Sequence, residues 1–120
     1  MILAALEPVA CRGGDWLFRQ GDEGDALYLL ARGRLQAWID SAEPGAGGQR
    51  LLAEIGPGEI VGEIGMLAGG QRTASIRAVR DSLLLRMDAA AFDQLGRQRP
   101  ELIRHIAGGI AARLRDRTAG

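Results

Sequence analysis

The chain has 120 residues, 47% of them hydrophobic, with 15 basic and 15 acidic side chains and a formal net charge of zero. That length suits one domain with a single modest core, and the composition excludes disorder throughout. The neutral balance argues against nonspecific nucleic-acid binding. Every basic residue is arginine, which removes lysine Schiff-base chemistry and a lysine-bearing phosphate loop.

In chain order, residues 1–7 read as the end of a helix stopped near Pro8. The stretch MILAALEPVA has no basic n-region, so no secretory signal is expected. Cys11 stands alone and excludes an intrachain disulfide. It reads as a small apolar filler in a reducing, cytoplasmic setting. No apolar run approaches the roughly 20 residues that span a bilayer.

Trp16-Leu17-Phe18 reads as a short strand, followed by the turn QGDEGD at 20–25. ALYLLA (26–31) is the next strand candidate, then a tight turn at Gly33, then RLQAWI (34–39), which alternates polar and apolar. The segment 40–49 is a loop, and RLLAEI (50–55) returns as a strand that ends in the turn Gly56-Pro57-Gly58. After it, ASIRAV (74–79) and SLLLRM (82–87) read as two late strands. Asp88 is placed as the N-cap of a helix over 89–99, and Pro100 as the start of another. That last helix carries the stripe Leu102, Ile106, Ile110, Leu114 and an arginine-rich face that reads as solvated. Eighteen glycines punctuate the short segments, so a small β-sandwich or barrel with C-terminal helices is expected.

The segment GEIVGEIGMLAGGQRTAS (58–75) holds too much glycine for a core strand or a stable helix. It suits a small anion attached to a sugar. Gly62 and Gly65 let backbone N–H groups come close, and a short helix starting near Glu63 would aim its N-terminus at the anion. Arg72 would close the charge with charge-assisted hydrogen bonds. The carboxylate of Glu63, an acceptor only, suits a ribose hydroxyl. Thr73 adds a hydroxyl beside Arg72.

Gly62-Glu63-Ile64-Gly65-Met66-Leu67, a four-residue loop and Arg72-Thr73-Ala74 together resemble the phosphate-binding cassette of the cyclic nucleotide-binding domains. FRQGDEGDALYLLARGRL (18–35) resembles that family's strand-and-turn motif, its glycines capping strands. The likeness runs from about residue 9 to 117. It implies one domain over 1–120: a mainly β fold, a β-roll over about 9–88, a short cassette helix, and the family's two terminal helices over about 89–117. It also implies a cyclic nucleotide ligand, with Arg72 on the exocyclic phosphate oxygens and Glu63 on the ribose 2′-hydroxyl. Backbone N–H groups of Ile64 and Gly65 would lie nearby. Leu52, Ala53 and Val61 would line the site from the strands, and Arg113 would approach from the last helix.

Thr73 leaves the base open between adenine and guanine, with cAMP expected ahead of cGMP. The same resemblance implies a regulatory role, an effector domain on this or another chain, and possible dimerisation through the last helix. The style of RLLAEIGPGEIVGEIGML also resembles the N-terminal regulatory domains of bacterial patatin-like phospholipases related to neuropathy target esterase. A variant of that reading is an interaction module that has lost its ligand. One His and one Cys make no zinc site, no Gly-x-Ser-x-Gly elbow is present, and no helix-turn-helix is recognised. Catalysis, metal, direct nucleic-acid binding and membrane insertion are not expected.

Overall fold

The computed structural model describes residues 6–40, 48–62 and 70–101. Six strands form one antiparallel system: β1 (Glu7–Cys11), β2 (Trp16–Phe18), β3 (Ala26–Asp40), β4 (Gln49–Ile55), β5 (Ile60–Val61) and β6 (Ser75–Asp88), followed by helix α1 (Ala89–Gln98). The order is β1-β6-β3-β4, with β2 also on β6 and β5 also on β3.

Two long strands carry the architecture. One half of β6 pairs with β1, as in Glu7↔Arg86 and Cys11↔Ser82, and the other half with β2, as in Phe18↔Ile76. Likewise β3 pairs with β5 near its start (Tyr28↔Val61) and with β4 near its end (Leu35↔Ile55). Each long strand therefore serves both faces of a β-roll, and the bend between faces falls where the β3–β6 register shifts, between Leu30 and Leu35.

The bend has a local cause. Gly33 has φ +107°, and a Cβ there would stand 2.6 Å from the Cβ of Ser82. Ser82 is buried; its hydroxyl accepts from the Arg34 N–H at 3.2 Å and donates to the Arg80 carbonyl at 2.8 Å. Glycine and a hydrogen-bonded serine thus turn the strand pair without ending it. The separate strands expected at 26–31 and 34–39, and at 74–79 and 82–87, are single bent strands. β1 corrects the expected helix end at its Glu7 end; Pro8 is tolerated there because β1 is a sheet edge.

Leu30, Leu35, Ala78 and Leu84 form the centre of the core, each 0% exposed, with Cys11, Ile55 and Val61 around them. A second cluster of Leu27, Met87 and Leu95 docks α1 on the end of the long strands. The Asp88 cap is as expected: its Oδ1 accepts from the Ala91 N–H at 2.8 Å. Pro100 and Glu101 are already helical, and the stripe from Leu102 to Leu114 lies outside the described residues. No helix among the described residues is long and apolar enough to cross a membrane.

Candidate functional site

The site is built on the turn at 20–25, which holds the backbone of residues 70–72 from both sides. Gly24 N–H donates to the Gly70 carbonyl at 2.6 Å, and Arg72 N–H to the Asp22 carbonyl at 2.8 Å. Gly21 N–H returns a bond to the Arg72 carbonyl at 2.8 Å, and Glu23 bridges to Gln71. Two segments far apart in sequence are thereby locked together, and the Arg72 side chain is sent into the roll.

Arg72 is only 5% exposed. Its Nη1 donates to the Ala26 carbonyl at 2.8 Å and to the Gly62 carbonyl at 3.0 Å. The guanidinium lies over the Phe18 ring at 4.1 Å and over Tyr28 at 5.8 Å, with Phe18 and Tyr28 themselves packed at 6.1 Å. These contacts support a cation on aromatic faces but supply no counter-charge. Its Nε is buried and has no partner among the described residues. Burial pulls its pKa below the usual arginine value, and the Arg86 charge adds to that; Tyr28, Asp25 and Asp22 oppose it. None of the ion pairs among the described residues involves Arg72. The nearby Arg86 is held by Glu7 at 3.5 Å and Asp25 at 3.4 Å.

Gly62 sits beside Arg72, though its glycine is explained differently from the sequence reading. It has φ +86°, and a Cβ there would stand 2.6 Å from Arg72 Nη1. The missing side chain leaves room for the protein's own guanidinium. Val61, next to it, is buried in the core. Leu52 packs partly buried against the same core, whereas Ala53 is exposed opposite the buried Ala37. Thr73 is exposed. Glu63, Ile64, Gly65 and Arg113, and with them the expected cassette helix, lie outside the described residues.

Sequence reasoning missed Phe18, Gly24, Ala26 and Tyr28 as parts of this site. The signal for the glycine was its place in QGDEGD, which was read as turn punctuation. Ala26 acts through its carbonyl, which no side-chain pattern reveals. Among the described residues no cluster of three or more His, Cys, Asp or Glu side chains could hold a metal.

The arrangement is a buried arginine framed by glycines and aromatic rings, suited to receiving an anion. Comparison with known proteins identifies the family. Residues 8–99 match the profile of the cyclic nucleotide-binding domain. Lysophospholipase nte1 of Neurospora crassa is 38% identical over 111 residues, 92% of this chain and 7% of that protein. The chain therefore spans a small fraction of the curated relatives it matches, among them lysophospholipases of the kind the sequence suggested. The catabolite activator protein of Thermus thermophilus superposes with a TM-score of 0.87 at 36% identity, over 96% of this chain and 53% of that one. A cAMP-binding acyltransferase from Mycobacterium smegmatis superposes with a TM-score of 0.69 at 31% identity, over 78% of this chain and 28% of that one. On the match that covers most of its length, the chain belongs to the cyclic nucleotide-binding domain family.

Proposed function

We propose that residues 1–120 form a single sensor domain that binds a cyclic nucleotide, cAMP ahead of cGMP, and relays occupancy through its C-terminal helices. The observation that carries this reading is the burial of Arg72 with a desolvated charge and an Nε that has no partner among the described residues. A buried cation with no carboxylate partner among the described residues is costly to hold, and a phosphate oxygen would relieve that cost. In this reading Arg72 meets the exocyclic phosphate oxygens and Glu63 the ribose 2′-hydroxyl, with backbone N–H groups of Ile64 and Gly65 beside the phosphate. Leu52, Ala53 and Val61 line the strands, Thr73 stands near the base, and Arg113 approaches from the last helix. The preference for cAMP is supported by the acyltransferase neighbour, whose description names that ligand.

A short route supports the relay. Arg72 donates to the Ala26 carbonyl, Ala26 is paired with Asp88, and Asp88 caps α1. The adjoining Asp25 carbonyl accepts from the Ala89 N–H at 2.9 Å. A ligand that draws on the guanidinium thus acts two residues from the start of the helix, and differential affinity for two helix positions would be transmitted. The effector lies on a longer parent chain or a partner, as the lysophospholipase relatives suggest. Placement in the cytoplasm and pairing through the last helix complete the proposal.

Titration calorimetry with cAMP and cGMP is the test, with Arg72→Leu expected to weaken binding by about a hundredfold, from the roughly 1.5–3 kcal/mol of hydrogen bonds to a charged group. Absence of heat from both nucleotides at millimolar concentration would remove the sensor reading. A second reading, an interaction module that needs no ligand, is favoured by one observation: Arg72 already engages two carbonyls and an aromatic face. Ligand-free wild type that binds its partner as well as Arg72→Leu does would support it.

A further inference from the structure

Within QGDEGD the two glycines have different environments. Gly21 has φ +89° and nothing within 4 Å of where a Cβ would be. Its glycine serves the backbone conformation of the turn. Gly24 is buried and is not among the positive-φ residues. Its φ lies outside the left-handed region that favours glycine, so a positive φ does not explain the residue. Space does. A Cβ on Gly24 would overlap Nε and Cζ of Arg72 and stand 2.7 Å from its Cδ. The guanidinium occupies the volume that a side chain at position 24 would fill.

The clash cannot be relieved cheaply. Arg72 is covered by Phe18 on one side, its Nη1 is committed to Ala26 and Gly62, and its main chain is fixed by Asp22 and Gly21. Gly24 itself is tied to Gly70. A methyl group at 24 must therefore move the guanidinium.

We infer that Gly24 is a positioning residue for Arg72: its bare Cα sets where the guanidinium rests and hence the affinity for the cyclic nucleotide. The inference rests on the binding reading above. Gly24 has no side chain to offer a ligand, and a positioning role differs from a merely structural one in what its substitution changes.

The experiment compares Gly24→Ala and, as a control from the turn after β4, Gly58→Ala by calorimetric titration with cAMP and cGMP, and runs a melting cycle on Gly24→Ala, Arg72→Ala and the double variant. Gly24→Ala is expected to weaken binding by about tenfold or more, the scale of a displaced charged hydrogen bond. Gly58→Ala, strained only in its backbone at φ +89° with nothing within 4 Å of a Cβ, is expected to lower the melting temperature and keep wild-type affinity. In the cycle, Gly24→Ala should lower the melting temperature of the wild type but not of Arg72→Ala, where the methyl has room. Wild-type affinity in folded Gly24→Ala, or additive melting shifts, would overturn the inference. If the wild type itself binds neither nucleotide, the binding reading falls. The melting cycle then still decides whether residue 24 places Arg72.

Discussion

The roll encloses two interiors of opposite character. Around Leu30, Leu35 and Leu84, each 0% exposed, the buried side chains are mostly aliphatic. Beside them, Phe18 from β2 and Ala26 and Tyr28 from β3 surround a guanidinium that is nearly as well buried. The aliphatic interior gains free energy from apolar area removed from water. The arginine niche gains little: the cost of desolvating the cation opposes its hydrogen bonds and aromatic contacts. The contrast teaches that one half of the interior is there to hold the fold, and the other is held by it.

The largest effect expected from that contrast is in the aliphatic half. Leu84→Ala should lower the unfolding free energy by about 2–5 kcal/mol, the usual cost of lost burial plus a cavity. Urea denaturation measures it. Nucleotide affinity of the folded fraction should be unchanged, and a large loss of affinity would mean that the two interiors are one unit.

Arg72→Leu should do the reverse. Binding should fall by about a hundredfold, as argued from charged hydrogen bonds. The unfolding free energy should move by about 1 kcal/mol or less, because removing a desolvated charge offsets the two lost bonds to Ala26 and Gly62. A loss of stability as large as that of Leu84→Ala would place Arg72 among the structural residues. Between these lies Asp88→Ala at the start of α1, expected to cost about 1 kcal/mol through its lost cap. Hydrogen exchange should show that loss concentrated in α1.

The two regions also differed in how far they could be read in advance. Asp88 as a cap was legible because a carboxylate suits free N–H groups; the nearness of Arg72 to Gly62 was legible too, but not that the glycine makes room for the guanidinium itself. β2 and the Gly56-Pro57-Gly58 turn followed from local pattern, and Gly58 does have φ +89°. β1 was missed because five residues containing a proline carry too little periodicity. β3 and β6 were each split because a glycine or a polar pair inside a strand reads as its end. The bend is made by a contact between Gly33 and Ser82, 49 residues apart, which no local window contains. Gly24 was misread for the same reason: its requirement comes from Arg72, 48 residues on.

The smallest effect concerns Cys11, at the edge of the aliphatic interior. Its thiol is 7% exposed and donates weakly to the Asp15 carbonyl at 3.7 Å. Burial, and then the Asp15 charge, raise its pKa above the ordinary thiol value. The folded chain therefore retains this proton more tightly than the unfolded one. The stability it contributes is complete below the unfolded pKa of about 8.5 and declines as pH rises through the higher folded value. The slope for one proton is at most about 1.4 kcal/mol per pH unit. The window is unusually clear, since the chain has no lysine and a single tyrosine. Urea midpoints measured from pH 8 to about 9.5 should fall for the wild type and stay flatter for Cys11→Ala. Equal slopes in the two would show that the thiolate is tolerated where the packing says it should not be, and that this edge of the core is wetter than its burial implies.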